Sequence, residues 1–287
     1  MLIGATLAAS AASATHAVTS AQAAPQLTWS DDFNGTSLDP SRWSYRATGP
    51  RHDGYVTPDA VSVGGGRLTI KTYTENATHY TGMISTEKTI NPLTLQSTGF
   101  EQTYGYFEAR VKFSTKPGMW SAFWLQSATN GLLVGNPQVW GVEMDIAEHR
   151  ARCVTAAPDP TVCDGADADS AGGDADITNR IQQALVWDGY SVFSKSAVKL
   201  SNPLAAFGND SWHTWTLRWS PTGLTFYYDG IPTWTQAGPI SQRSQYIVLS
   251  SEVAQFFAGA IPTGGYGTRA TSTTNMQVDY VRAWTLG

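Results

Sequence analysis

Residues 142–148 read VEMDIAE and place three carboxylic acids among apolar neighbours. In a β-strand, side chains two positions apart point to the same face, so Glu143 and Asp145 share one face. Glu148 has the opposite parity, and a β-bulge at Ile146-Ala147 would bring it to that face as well. The stretch therefore predicts a bulged strand with apolar side chains toward a core and three acids along a groove.

Short strand-like segments, separated by turn signals, continue from this stretch in both directions. Apolar and polar side chains alternate in residues 105–113, which is typical of a strand with one buried face. No segment shows three turns of an amphipathic helix, and 27 Gly, 11 Trp and 12 Tyr with 14% charged residues favour strands and turns. We therefore expect a single all-β domain over residues 25–287. The other strand-like segments are residues 68–73, 122–126, 181–187, 214–219, 224–228, 246–252 and 276–284.

Residues 1–24 differ from the rest, because they carry no charged side chain and are rich in Ala, Ser and Thr. They end in a small-x-small pattern before Pro25, which is typical of a signal-peptidase site. We expect a secretory signal peptide over residues 1–24 and a secreted protein, with a low-complexity arm as the alternative. The apolar run is short and interrupted by polar residues, so no membrane partner is expected.

The charge of the chain limits its partners. The net charge is −5 and the isoelectric point is about 5.5. No basic stripe is present, which argues against nucleic acid. An acidic protein also favours a neutral polymer over a strongly anionic one. We expect a monomer.

Cys153 and Cys163 lie in residues 151–179, a region rich in Asp, Ala, Gly and Pro. In an exported protein, such a pair predicts a disulfide that ties one loop. A metal site would need more ligands, and only His149 is near. The region is either a solvated surface loop or a loop at the edge of a cleft that shapes specificity.

Two carboxyl groups that flank a bond are the usual machinery of glycoside hydrolysis. On a bulged, curved strand, Glu143 and Glu148 can approach to about 5–5.5 Å, the separation typical of retaining enzymes. Glu143 then acts as nucleophile and Glu148 as acid/base, while Asp145 tunes the proton balance between them. The alternative is an exposed edge strand with solvated acids.

Five segments, in order along the chain, resemble glycoside hydrolase family 16, the group of bacterial laminarinases, lichenases, agarases and carrageenases. The resemblance implies a β-jelly-roll sandwich of two curved antiparallel sheets with a concave substrate cleft. It implies double-displacement hydrolysis with retention, with no cofactor required for catalysis and with the three acids in the roles given above. The segments are residues 31–35 (DDFNG), 104–110 (YGYFEAR), 118–124 (GMWSAFW), 143–148 (EMDIAE) and 278–284 (VDYVRAW).

Two departures from the family pattern leave the sugar open. Many β-1,3-glucanases have Pro where Ser121 stands and His where Val186 falls. The resemblance implies endo-hydrolysis of a β-linked polysaccharide, for which we expect β-1,3-glucan, with a galactan- or agar-directed hydrolase as the alternative. A non-catalytic glycan-recognition protein and a transglycosylating wall-remodelling enzyme are the hypotheses from other classes.

Further residues are candidates for binding substrate or metal. Sugars stack on aromatic rings, and a charged side chain such as Arg110 can bind a sugar hydroxyl or form a structural salt bridge. The resemblance also implies a possible structural calcium site, with a simple surface turn as the alternative. The stacking candidates are Trp120, Trp124, Trp140 and Trp187, with core packing as the alternative for each. The calcium candidates are Asp32, Asp279 and a carbonyl near Gly66.

Overall fold

Two large β-sheets packed against each other form the fold in the computed structural model, which describes residues 23–153, 175–202, 204, 207 and 211–287. The strands are β1 (Leu27–Asp31), β2 (Ser44–Tyr45), β3 (Gly49–Arg51), β4 (Gly54–Val56), β5 (Val61–Val63), β6 (Leu68–Lys71), β7 (Tyr73–Glu75), β8 (Thr78–Thr81), β9 (Met83–Ser85), β10 (Gly105–Lys112), β11 (Met119–Gln126), β12 (Val142–Arg150), β13 (Arg152–Cys153), β14 (Ala175–Asp176), β15 (Gln182–Trp187), β16 (Lys195–Leu200), β17 (His213–Ser220), β18 (Gly223–Tyr228), β19 (Ile231–Gln236), β20 (Tyr246–Val253) and β21 (Asn275–Trp284). Within the described ranges, helical structure is limited to a 3₁₀ turn (Pro58–Ala60), α1 (Pro137–Trp140) and α2 (Gln255–Ala258).

The two sheets have antiparallel neighbours throughout. The groove sheet has the strand order β16-β15-β12-β11-β20-β9-β2. The outer sheet has the order β19-β18-β17-β10-β21-β6-β5, and β1 pairs with β21 beside it. Two small sheets, β3-β4-β8-β7 and β13-β14, complete the pairing. This is the β-jelly-roll sandwich that the resemblance to family 16 implies.

The core lies between the two sheets. Phe107 and Val111 from the outer sheet and Phe123 and Met144 from the groove sheet belong to one buried cluster. Burying such a side chain contributes roughly 1.5–3 kcal/mol. Because strands alternate, this burial fixes which face of β11 and β12 is left for the groove.

The sequence predicts one strand over residues 68–73, whereas the structure divides this segment at Thr72. The backbone N–H of Thr72 donates to the carbonyl of Thr274, and its hydroxyl contacts that of Thr81 at 3.1 Å. The chain therefore leaves the outer sheet after Lys71 and continues in a small sheet. No helix among the described residues is long and apolar enough to span a bilayer.

Gly105→Ala is expected to destabilise the fold by about 2–4 kcal/mol. Gly105 has a φ of +124°, and an added Cβ would lie 2.1 Å from the carbonyl oxygen of Trp284. Urea unfolding measures the loss. Gly64→Ala is the control, because an added Cβ there meets no atom within 4 Å and its φ is not positive. Equal effects of the two substitutions would contradict the backbone clash.

Candidate active site

The acidic stretch lies in β12, and a β-bulge lies within it. Asp145 and Glu148 are three residues apart, whereas their partners Trp124 and Ala122 on β11 are two apart. The same offset occurs across β15. The predicted bulge is thus confirmed. Glu148 turns to the face of Glu143 and Asp145, and the three acids line one pocket of about 350 Å³.

This acid pocket is one part of a longer groove. A second pocket, the side pocket, has a volume of about 860 Å³ and shares Arg51, Trp124 and Tyr190 with the acid pocket. The groove sheet forms the floor, because both pockets are lined by side chains of its strands. The acid pocket is lined by Arg51, His52, Trp120, Ala122, Trp124, Glu143, Asp145, Glu148, Tyr190, Ser250 and Glu252. A groove of this size can hold several sugar units.

Glu143 is buried at 7% exposure and accepts two hydrogen bonds on Oε2. Gln126 Nε2 donates at 2.8 Å, and the hydroxyl of Tyr190 is the second donor. Burial, the largest influence, and the charge of Glu148 raise the pKa of Glu143, which lies at about 7. The two donors act in the opposite direction because they favour the ionised form.

Glu148 is buried at 4% exposure and accepts one hydrogen bond on each oxygen. Trp120 Nε1 donates to Oε1 at 2.7 Å, and Gln182 Nε2 donates to Oε2 at 2.8 Å. Burial raises the pKa of Glu148, while these donors and then the charge of Arg150 lower it. The carboxyl is therefore fixed in direction and favours the protonated form more than an exposed glutamate does.

Asp145 lies between the two glutamates and is also buried. Burial and the charges of Glu148 and Glu143 hold the pKa of Asp145 well above its usual range. Three neighbouring carboxyl groups in one buried pocket disfavour full ionisation, so at least one proton is retained near neutral pH. The cluster can therefore present an acid and a carboxylate at the same time, which double displacement requires.

Comparison with known proteins identifies the family. The family described as beta-porphyranase A-D, GH16 domain, matches residues 25–286. The chain belongs to glycoside hydrolase family 16. Among solved structures, porphyranase B of Zobellia galactanivorans superposes with a TM-score of 0.63 at 21% identity, covering 91% of this chain and 92% of that one. A family 16 enzyme from the mixed-linkage glucan locus of Bacteroides ovatus superposes with a TM-score of 0.67 at 19% identity, covering 89% and 99%.

Relatives in the family carry different substrate names. The keratan-sulfate endo-1,4-beta-galactosidase of Sphingobacterium multivorum is 26% identical over 94% of this chain and 58% of its own length. The glucan endo-1,3-beta-glucosidase A1 of Niallia circulans is 26% identical over 90% of this chain and 37% of its own length. The chain thus spans only part of each relative. Membership in family 16 supports a glycoside hydrolase on this fold and leaves the sugar to be decided by the groove.

The four tryptophans predicted to bind sugars divide into two pairs. Trp120 and Trp124 line the acid pocket, since even positions of β11 face the groove. Trp187 packs against the core. Its register partner on β12 is the buried Val142, and paired residues of neighbouring strands point to the same face of the sheet. Trp140 ends α1 and lines neither groove pocket. The structure thus places only the first pair beside the acids.

Arg110, predicted as a groove residue, lies instead on the solvent face of the outer sheet. Its Nη1 is 2.8 Å from Asp279 Oδ2, and its guanidinium lies over the ring of Trp212. The alternation of residues 105–113 was correct, but β10 belongs to the sheet opposite the acids. Its position therefore agrees with the alternative prediction of a structural salt bridge.

The residues predicted for calcium are engaged with cations of the protein itself. Asp32 Oδ1 is 2.8 Å from an Arg282 nitrogen, and Asp279 pairs with Arg110. Calcium prefers a cage of oxygen ligands, and an arginine against each carboxylate does not fit this preference. Gly66 lies near the side chain of Asn34. Among the described residues, no group of three or more His, Cys, Asp or Glu side chains could hold a metal.

Two further predictions lie wholly or partly outside the described residues. Cys163 is outside them, so its disulfide with Cys153 stays a prediction. Residues 1–22 of the predicted signal peptide are also outside them.

Several polar residues at the acids were not predicted from the sequence. Gln126 has the same parity on β11 as Trp120 and Trp124, so the strand pattern contained a usable signal for it. Tyr190 reaches Glu143 from the turn after β15, where no periodicity applies. Two further polar residues near the acids were also not predicted: Gln182, which donates to Glu148, and Glu252, which pairs with Arg51 and His52.

Glu143→Gln is expected to reduce the pH dependence of stability. Because the pKa of Glu143 is raised to about 7 in the folded state, the folded state holds the proton more tightly than the unfolded chain. This stabilising contribution is fully present below the unfolded-state pKa and is lost as the pH rises through the folded-state pKa. Between pH 5 and pH 8, the free energy of unfolding should fall by about 2–3 kcal/mol more in the unsubstituted protein than in the variant.

Urea unfolding at the two pH values measures this difference. Asp59→Asn changes an exposed carboxylate and should leave the pH dependence of the unsubstituted protein intact. An unchanged pH dependence in Glu143→Gln would show that burial of this carboxyl does not govern stability.

Proposed function

We propose that this family 16 protein is a retaining endo-hydrolase of a β-linked, galactose-containing polysaccharide. The observation that carries the reaction is the bulged strand, which brings Glu143, Asp145 and Glu148 into one pocket that Trp120 and Trp124 also line. Glu143 attacks the anomeric carbon while Glu148 protonates the leaving oxygen. Glu148 then deprotonates the water that releases the sugar from Glu143.

Endo action is supported by the shape of the site. The acid pocket adjoins the larger side pocket, with which it shares Arg51, Trp124 and Tyr190, so there is room beside the acids for further sugar units. A polymer chain can therefore extend past the acids. A polysaccharide is too large to enter a cell intact, which supports the proposal that the protein is secreted.

A galactan is favoured over a glucan by the family match and by one residue that lies opposite Glu143 in the sheet. The matching family is the porphyranase group, and the Sphingobacterium relative is named for cleavage of a β-galactoside bond. Val186 lies directly opposite Glu143 on β15. Opposite residues point to the same face, so an apolar side chain stands beside the nucleophile where many β-1,3-glucanases have His. β-1,3-glucan is the second candidate, supported by the Niallia relative.

A substrate panel tests both parts of the proposal. Agarose, porphyran, keratan sulfate, laminarin and lichenan are compared by kcat/KM, with products resolved by chain length. We expect the highest value on a galactan and products of intermediate length from the start. A preference for laminarin would overturn the sugar, and release of only mono- or disaccharides would overturn endo action. Proton NMR of the first products should show the β-anomer, and an initial α-anomer would overturn retention.

A further inference from the structure

The side-chain amide of Gln126 has all four of its hydrogen-bonding positions filled. Its Nε2 donates to Glu143 Oε2 at 2.8 Å and to the phenol oxygen of Tyr190. Its Oε1 accepts from Arg46 Nη2 at 2.7 Å and from the hydroxyl of Tyr246 at 2.6 Å. The amide is buried. It therefore connects an arginine on one side with the nucleophile on the other.

The same arrangement occurs at the second glutamate. Gln182 Nε2 donates to Glu148 Oε2 at 2.8 Å, and Gln182 Oε1 accepts from Arg150 Nη2 at 2.7 Å. Arg150 is 1% exposed, and its Nη1 donates to the carbonyl of Phe257 at 2.9 Å. Its guanidinium also lies over the Phe257 ring at 3.7 Å. The contacts with Phe257 thus hold the part of the guanidinium that does not bond the glutamine.

The chemistry of arginine determines which end of each amide meets the carboxylate. A guanidinium has only donors, so the glutamine oxygen must face it and the N–H₂ group must face the acid. Rotating the amide by half a turn would place its oxygen against a carboxylate oxygen and its N–H₂ against the guanidinium. Both contacts would be repulsive, and in a buried site neither group could turn to water instead.

We propose that Arg46 and Arg150 are positioning residues that act through Gln126 and Gln182, each locking one amide so that it donates to its glutamate. The inference rests on the proposed function, in which Glu143 and Glu148 carry the reaction. Each locked amide holds its carboxyl oxygen at one place and gives it a donor that cannot reverse. Without the arginine, only the carboxylate itself opposes rotation of the amide, so the donating orientation is held less firmly.

Each arginine can act on its glutamate in two ways, directly by its charge or through the amide, and a test must separate the two. Arg46 also lowers the pKa of Glu143 by its charge, and Arg150 does so at Glu148. A direct charge effect and an effect through the amide therefore have the same sign. Glu143 is faced by Arg46, Asp145, Glu148, Tyr190 and Tyr246, and Arg46 is itself paired with Glu87. Glu148 is faced by Glu143, Asp145, Arg150 and Glu252, and Glu252 in turn pairs with Arg51 and His52.

A double-mutant cycle of Arg46→Met and Gln126→Met separates the two effects. The full chain is assayed on the best polysaccharide of the panel for kcat, KM and the pH profile of kcat/KM. Each single variant should lower kcat by about 10–100-fold with little change in KM. Each should move the acidic limb to higher pH, because Glu143 loses a donor to its ionised form. Arg46→Met should add less than about 2-fold when Gln126 is already Met.

Arg110→Met is the matched control, since Arg110 is a paired arginine on the outer sheet, and its kcat and pH limb should not change. Equal effects of Arg46→Met in both backgrounds, or no effect on kcat, would overturn the inference.

Thermal melting confirms that each variant is folded. Should Gln126→Met fail to fold, the cycle of Arg150→Met and Gln182→Met tests the same inference at Glu148. Its readout is the basic limb of the pH profile, which should move to higher pH by the same amount in each single variant. The double variant should show no further shift.

The failure of the inference and the failure of the proposed function are distinguishable. Full activity of Glu143→Ala would remove Glu143 as the nucleophile of the proposed function, whatever the cycle shows. An inactive Glu143→Ala with an additive cycle would remove only the role of the arginines.

Discussion

Glu143→Ala is expected to lower kcat on the polysaccharide by about 10⁴–10⁶-fold. Glu143 is the carboxylate oriented by Gln126 and Tyr190 and is the proposed nucleophile, so its loss removes the group on which the proposed covalent glycosyl intermediate forms. Binding should persist, because Trp120 and Trp124 are unchanged. Reducing-sugar release measures the loss, and isothermal titration with an oligosaccharide measures the retained affinity.

Added formate should restore part of this activity. Alanine leaves space in a pocket of about 350 Å³, and a small carboxylate can occupy the position of the lost group. Attack from that side gives a product with the α-configuration, which proton NMR detects. Glu108→Ala, in the outer sheet, is the control and should be fully active. Undiminished activity of Glu143→Ala would favour a different nucleophile, whereas glycan binding without any activity in the unsubstituted protein would favour a recognition protein.

Glu148→Ala is expected to lower kcat on the polysaccharide by about 10²–10⁴-fold, the usual contribution of a general acid. The leaving oxygen of a sugar polymer needs a proton, and Glu148 is the carboxyl directed by Trp120 and Gln182. A dinitrophenyl glycoside of the same sugar has a leaving group that needs none. Its first step, seen as a burst of released phenolate, should therefore be nearly unchanged.

The pH profile provides the second measurement on this variant. The basic limb reports deprotonation of the acid in the unsubstituted protein, so it should disappear in Glu148→Ala. Asp59→Asn serves as the control for a carboxylate outside the groove. Equal losses on the polymer and on the dinitrophenyl glycoside would contradict the acid role of Glu148, because the loss would then be independent of the leaving group.

Hydrolysis and transfer share these two glutamates, so the substitutions do not separate them. A high concentration of acceptor oligosaccharide does, because a transglycosylating enzyme would give elongated products. The side pocket is large enough to hold acceptor or substrate units.

The parity of residues along one strand was enough to predict much of the site. The odd spacing of Glu148 from Glu143 required a bulge in β12. Trp120 and Trp124 on the neighbouring β11 lie on the same face of the sheet as the three acids. The same reasoning failed for Arg110 and Trp187. Parity tells which side chains share a face, but it does not tell which sheet a strand joins or which face of that sheet is covered.

The two departures from the family pattern, Ser121 and Val186, could be related to the choice of sugar only once the pairing of the strands was known. Ser121 is 1% exposed and contacts Ser251 inside the sandwich, so it says little about the sugar. Val186 lies opposite Glu143 and does bear on the groove. The sequence presented the two departures as equal, and only the pairing of β15 with β12 distinguished them.

By itself, the sequence determined the all-β fold, the bulge and the shared face of the three acids, because each of these follows from the period of a strand and from the spacing of residues close together in the chain. Only the tertiary structure decided how those acids are held. Gln126 and Arg46 come together at Glu143, and Gln182 reaches Glu148, from three different strands or loops, and their order in the chain does not show which acid each one contacts. Their meeting depends on the register between strands and on the packing of two sheets, which are set by long-range contacts rather than by local pattern.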